Sequence, residues 1–344
     1  MLYTLLRPLL FKIDPEVAHG MTLNAMERLN KMRLLRNTQV VCQPRTVMGL
    51  NFPNPVGLAA GLDKNAEHLD ALARLGFGFL EAGTVTPRPQ PGNPAPRIFR
   101  IPEAEAIINR MGFNNQGVDQ LIENIKCSDY RGVLGINIGK NFDTPIDKAV
   151  DDYQTGFQKV YRYASYVTVN ISSPNTQNLR QLQDAEALDH LLGQLKSQQD
   201  RLAQEHGKYV PIAVKIAPDL EPAQVESIAS TLLKHRMDGV IATNTTISRN
   251  SVDHLPVAHQ QGGLSGAPLT QRATRIVYQL HSLLQNAIPI IGVGGIMSAN
   301  DAQDKMEAGA NLIQLYTGLI YHGPGLVKEI VRAVCAQPSQ LRSA

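Results

Sequence analysis

The chain has 344 residues, room for one large domain and a small appendage, and is 43% hydrophobic and 18% charged, the composition of a globular protein with a large core. A formal net charge of +3 argues against a nucleic-acid partner. Three widely spaced cysteines, Cys42, Cys127 and Cys335, without any CxxC pair, argue against a zinc site or a disulfide framework and suggest a reducing compartment.

Residues 1–38 carry Arg7, Lys12, Arg28, Lys31, Arg33 and Arg36 against Asp14, Glu16 and Glu27, so this head holds the whole net charge. Its start is apolar but lacks a basic lead and a small-residue cleavage site, and is read as retained structure. Leu2, Leu5, Leu6, Leu9, Leu10 and Ile13 fall on one face of an amphipathic helix, which Pro8 should start or kink. Asp14-Pro15-Glu16 is an N-cap, a first-turn proline and a first-turn acid. A second helix to about Leu35 carries Val17, Met21, Ala25, Met26, Leu29 and Met32. Two such helices have more apolar surface than they can bury against each other. The excess points to a basic, Leu/Met-rich face for lipid or an apolar ligand. No apolar run reaches the roughly 18 residues of a membrane-spanning helix.

Eight short apolar runs follow: 55–61, 79–85, 133–139, 166–173, 211–218, 239–245, 289–295 and 312–318. Each is apolar enough to be buried on both faces, as parallel strands are. Helical patterns alternate with them, for example over 66–75, 186–206, 222–235, 271–284 and 299–308. Eight strand–helix repeats in about 260 residues predict an α/β fold, a (β/α)8 TIM barrel, with the head as a two-helix extension. The division is 1–38 and 39–344. An open doubly wound sheet is disfavoured, because no G-x-G-x-x-G follows the first strand. The proline-rich segment 86–97 starts an irregular insertion reaching to about Gly132.

Barrel chemistry sits at the C-terminal strand ends. Those ends carry Ala60-Gly61 with Lys64, then Thr84, Asn137, Asn170 with Ser172-Ser173, Lys215, Thr243-Asn244-Thr245, Gly294-Gly295 and Tyr316-Thr317-Gly318. The glycines after strands 6, 7 and 8 suit a phosphate, which backbone N–H groups can cradle. Lys215 follows three apolar residues, and a buried ammonium there needs an anion or a structural acid. The many asparagines suit a planar, amide-rich ligand if they converge on one pocket.

LAAGLDKN (58–65), TVTPRPQPGNPAPRIFR (84–100), INRMGFNN (108–115), GINIGKN (135–141), VNISSPNT (169–176), VKIAPDL (214–220), GGLSG (262–266), GVGGI (292–296) and QLYTG (314–318) together resemble the dihydroorotate dehydrogenase family, from about residue 14 to 332. The head resembles its quinone-dependent, membrane-associated branch. The resemblance implies oxidation of dihydroorotate to orotate in pyrimidine biosynthesis, with FMN at the barrel top. It implies that Ser173 removes the C5 proton while hydride leaves C6 for flavin N5, and that a quinone takes the electrons. It implies FMN on Ala60, Gly61, Lys64, Thr84, Asn137, Asn170, Lys215, Thr243, Gly266, Gly295, Tyr316 and Thr317. Substrate would lie on Lys64, Asn109, Arg110, Met111, Gly112, Phe113, Asn170, Asn175, Asn244 and Thr245, and the quinone near His19, Arg100 and Tyr316. No metal is expected, and the location implied is the membrane surface on the cytoplasmic side of a bacterial inner membrane. A serine is a poor base unless its proton is relayed onward, and a water or Thr176 are the candidates.

Overall fold

The computed structural model describes residues 2–35 and 37–336, so Met1, Arg36 of the basic head and the tail from Gln337 lie outside the described residues. Eight parallel strands close on themselves: β1 (Val56–Leu58), β2 (Phe79–Val85), β3 (Val133–Ile138), β4 (Tyr166–Asn170), β5 (Ile212–Ile216), β6 (Gly239–Ala242), β7 (Ile290–Val293) and β8 (Leu312–Leu315). Neighbours follow chain order, and β8 closes the ring with Ile313 opposite Val56 of β1. Every strand residue except Val133 is buried. Helices cover the outer face and side chains fill the inner one, so the near-continuous apolar runs are what the position demands. A helix follows each strand: Leu69–Ala73, Val118–Cys127, Ala149–Val160, Ala185–His206, Pro222–Lys234, Thr270–Leu284, Ala299–Glu307 and Pro324–Cys335. The predicted (β/α)8 barrel is the observed fold.

A hairpin of Arg45–Val47 and Leu50–Phe52 seals the N-terminal end, with Phe52 edge-on to Phe79 at 5.1 Å. At the other end the long insertion is not wholly irregular. Ile98–Ile101 and Ala106–Asn109 pair as antiparallel strands, and Gly263–Gly266 adds to them. The glycine loop expected after strand 6 is therefore an edge of this small sheet. Four-residue strands whose partner lies some 150 residues away leave no local signature.

Helix α1 spans Leu2–Leu10, with Pro8 inside rather than at its start. Helix α2 spans Pro15–Lys31, and Asp14 caps it through the Glu16 and Val17 amides. Both dock on the barrel by polar links. Tyr3 donates to the Ile320 carbonyl and Arg7 to that of Tyr321, while Arg97 clasps the Glu16 carboxylate at 2.6 Å. Arg100 donates to the carbonyls of Leu10, Phe11 and Ile13 and lies over the Phe11 ring, finishing the C-terminal end of α1. On α2 the barrel-facing set is Pro15, Ala18, His19, Thr22, Leu23 and Met26, at helical spacing. Val17, Met21, Ala25, Leu29 and Met32 form an exposed stripe behind it, joined on α1 by Leu5 and Leu9.

One sequence expectation is corrected. Cys42 and Cys335 form a disulfide, their Cα atoms 5.4 Å apart across 293 residues. The fold lays the segment leading into the barrel against the last helix, a proximity that sequence spacing cannot reveal. Cys127 is free and exposed.

Candidate active site

The C-terminal strand ends form one pocket. It is lined by Ala60, Gly61 and Lys64 after β1, Thr84 at the end of β2, Asn170 and Ser173 at β4, Lys215 on β5 and Thr243, Asn244 and Thr245 after β6. Gly294, Gly295 and Ile296 after β7 and Tyr316, Thr317 and Gly318 after β8 complete that wall, with Gly266 beside them. Asn109, Met111, Gly112, Phe113 and Asn175 cover it. Two sequence candidates stand apart. Asn137 does not line the pocket; it is fully buried beneath Thr84 and accepts that hydroxyl at 2.6 Å. The Arg110 side chain turns outward, donates to Gln260 and the Pro96 carbonyl and lines a separate outer cavity.

The pocket's chemistry can be checked against a flavin phosphate ester. Among the described residues, the backbone N–H groups of Gly295 and Ile296 have no hydrogen-bond acceptor, and both residues line the pocket. Gly295 has φ +71° and an added Cβ would lie 2.3 Å from Thr270, so only glycine permits this backbone course. Lys215 is 6% exposed, and its ammonium makes no hydrogen bond with the described residues. Burial lowers its pKa, while the nearby Glu81 carboxylate raises it. A buried cation without a protein acceptor, facing a pocket with free N–H donors, fits a large anionic ligand.

Ser173 is buried, and its Oγ accepts the Asn175 amide at 3.2 Å. Around it the amides interlock. Asn175 donates to the Asn109 carbonyl, and Asn244 donates to Asn170 Oδ1 and Ser172 Oγ. Arg180 joins the two loops by donating to the carbonyls of Ser172 and Thr245, anchored on Asp219 at 2.9 Å. The Thr176 hydroxyl is buried and has no partner among the described residues. Burial draws the Lys64 ammonium down to about 8, opposed by Glu16.

A second cavity of about 470 Å³ lies between α1, α2 and the barrel and is mostly apolar, with Leu6, Leu10, Leu23, Met26, Leu62 and Leu319 in its wall. His19, Arg100 and Tyr316 are also there. Burial, then the positive Lys64, holds His19 down at about 4, so it is neutral near pH 7. Burial pushes the Tyr316 phenol up to about 12, so it stays protonated. Asn109, Met111 and Tyr316 line both cavities, forming the partition between them. The outer cavity is polar and shares Asn175 with the pocket. The sequence reading passed over Glu81, Arg97 and Arg180. A lone acid inside a strand buried over all seven residues was a readable signal for Glu81; the two arginines act through partners far along the chain and gave none.

Fold and site define a class: a (β/α)8-barrel enzyme whose pocket pairs an anion cradle with a buried lysine and a bank of neutral amides. The family model described as dihydroorotate dehydrogenase matches residues 43–337. The dihydroorotate dehydrogenase (quinone) of Nitrosospira multiformis is 65% identical over 97% of this chain and 96% of its own length. That of Nitrosomonas europaea is 64% identical, covering 98% of each. The solved structure of DHODH from Eimeria tenella in complex with ferulenol superposes with a TM-score of 0.87 at 38% identity, over 93% of this chain and 90% of that one. The chain belongs to the dihydroorotate dehydrogenase family, flavin-dependent oxidoreductases that oxidise dihydroorotate to orotate.

Proposed function

We propose that the chain oxidises dihydroorotate with FMN bound in the pocket and passes the electrons to a quinone that enters between α1 and α2. The observation that carries this reading is the pair of unlike cavities that each share wall residues with the pocket. The apolar one shares Asn109, Met111 and Tyr316 with it, and the polar one shares Asn175. An apolar acceptor and an anionic pyrimidine need separate doors of these two characters.

FMN would be held by Gly295, Ile296 and Thr317 at its phosphate and by Lys215, Thr84 and Asn170 at its ring, and when bound it supplies a two-electron acceptor for the substrate's hydride. The residues do the rest. Asn109, Asn175 and Asn244 offer the paired donors and acceptors that a pyrimidine ring requires, with Lys64 for its carboxylate. Ser173 Oγ takes the C5 proton as its own hydroxyl proton leaves, and the Asn175 N–H stabilises the negative charge that the departing proton leaves on that oxygen. Thr176, whose buried hydroxyl has no partner among the described residues, is a candidate to pass the proton onward. Tyr316 and His19 are both neutral near pH 7. They present hydrogen-bonding groups to a quinone head without the cost of burying a charge.

The division at about residue 38 follows from this reading, with a helical part serving the acceptor and a barrel doing the oxidation. The exposed stripe of Val17, Met21, Leu29 and Met32, with Leu5 and Leu9, supports docking on a membrane surface, where the basic side chains meet anionic lipid. Among the described residues no helix is long and apolar enough to cross a membrane, so we read the attachment as peripheral, on the cytoplasmic face. An acceptor panel tests the proposal: with dihydroorotate as donor, turnover is expected with a short-chain quinone. Turnover with NAD or fumarate in its place would overturn it.

A further inference from the structure

Beneath the pocket floor lies a buried carboxylate that no step above uses. Glu81, on β2, is 1% exposed. Its Oε2 accepts Tyr166 Oη at 2.8 Å and Gln314 Nε2 at 2.7 Å, and its Oε1 accepts Asn137 Nδ2 at 2.8 Å. Gly135, on the neighbouring strand, makes the room: a Cβ there would lie 2.3 Å from the Tyr166 ring. Glu81 and Lys215 each follow by two residues a member of the barrel's inner cluster, Phe79 and Ala213, so both side chains point into the barrel interior, and Glu81 is the acid that raises the Lys215 pKa among the described residues.

The hydrogen bonds continue in one direction from Glu81. Asn137 Oδ1 accepts Thr84 Oγ1 at 2.6 Å, Thr84 Oγ1 accepts Asn170 Nδ2 at 2.9 Å, and Asn170 Oδ1 accepts Asn244 Nδ2 at 3.3 Å. An ionised carboxylate can only accept. Asn137 must therefore turn its NH₂ toward Glu81 and its carbonyl toward Thr84. Thr84 must then spend its one proton on Asn137 and accept from Asn170, which leaves the Asn170 carbonyl for Asn244. An asparagine alone is free to flip; in this chain a flip would set oxygen against oxygen or leave a buried donor unmatched, and at its far end the Ser172 N–H on Asn170 Oδ1 and the Thr245 N–H on Asn244 Oδ1 hold the same faces.

We propose that Glu81 is a positioning residue: through Asn137 and Thr84, and together with those two N–H groups, it fixes the donor and acceptor faces of Asn170 and Asn244 toward flavin and substrate, and it supplies the negative charge that balances Lys215. The proposal rests on the reading that a flavin and a pyrimidine share this pocket. It assigns two separable effects to one carboxylate, orientation through the chain and charge through space.

Glu81→Gln tests both, because an amide can donate as well as accept and carries no charge. In the E81Q holoenzyme the flavin potential is expected to rise, since removing a nearby negative charge favours the more anionic reduced form. A tenfold shift in that equilibrium is ~30 mV for a two-electron couple. Orotate affinity, read from the perturbation of the flavin absorption, is expected to weaken tenfold or more. Asn137→Leu breaks the chain at a residue that does not line the pocket and leaves Glu81 its Tyr166 and Gln314 donors, so it should weaken orotate alike with the potential unmoved. A merely structural role would lower thermal stability without moving either readout. Unchanged potential and affinity in E81Q overturn the proposal. If E81Q fails to retain flavin, N137L decides: weakened orotate binding supports the directed chain, and wild-type affinity overturns it. Wild-type protein that lacks a flavin spectrum would overturn the underlying pocket reading instead.

Discussion

Replacing Ser173 by Ala removes one oxygen from a closed site, and the structure sets the size of each consequence. Ser173 Oγ is the acceptor for the Asn175 amide, and it bonds to none of the residues assigned to FMN. Leaving that amide unmatched costs about 1–3 kcal/mol at most, which a barrel with the usual 5–15 kcal/mol of stability tolerates. The flavin should therefore stay bound. Loss of a general base slows proton abstraction by ~10²–10⁴-fold, equivalent to about 3–5 kcal/mol of transition-state stabilisation. Rapid mixing of the anaerobic holoenzyme with dihydroorotate measures flavin reduction directly. Re-oxidation by quinone, followed separately, should keep its wild-type rate because Ser173 is not in the second cavity. Reduction of S173A at the wild-type rate would refute the assignment, and equal slowing of both half-reactions would point to general damage rather than a missing base.

Thr176→Val removes a buried hydroxyl that has no partner among the described residues, so flavin reduction should slow about tenfold or more without loss of stability if the proton leaves through it; an unchanged rate would rule that exit out. Orotate affinity should be flat below about pH 8 and fall roughly tenfold per unit above it, because the Lys64 ammonium that attracts the carboxylate is lost as pH rises through its depressed pKa. Titration of Lys64→Met across the same range should show weak binding with no such break. Ala18→Trp fills the apolar cavity from α2, where Ala18 is 4% exposed, and should abolish quinone turnover while dihydroorotate still bleaches the flavin. Glu16→Gln releases Arg97, which also holds the Pro91 and Asn93 carbonyls; it should raise the quinone KM several-fold and leave flavin reduction near wild type.

The barrel was legible because each strand is buried on both faces, and that constraint writes itself as a local apolar run. β2 was read to the residue, while β1 contracted to Val56–Leu58 because Ala60 and Gly61 already belong to the pocket rim. The motif residues line one pocket, while Asn137 lies beneath Thr84 and the Arg110 side chain faces the outer cavity. What stayed hidden depends on long-range pairing. The Gly263–Gly266 strand forms by pairing with Ala106–Asn109, and the Cys42–Cys335 bridge by the packing of the last helix. Helix α2 shows both limits in one element. Its obvious apolar residues, Val17 and Met21, face outward, whereas the cavity wall uses Ala18, His19 and Thr22, which no hydropathy pattern singles out.

Anaerobic addition of dihydroorotate to the purified protein, with the visible spectrum recorded before and after, tests the central claim most directly. A bound flavin that bleaches on dihydroorotate and regains its colour on addition of quinone is the predicted result. A colourless protein, or a flavin that dihydroorotate leaves oxidised, would contradict it.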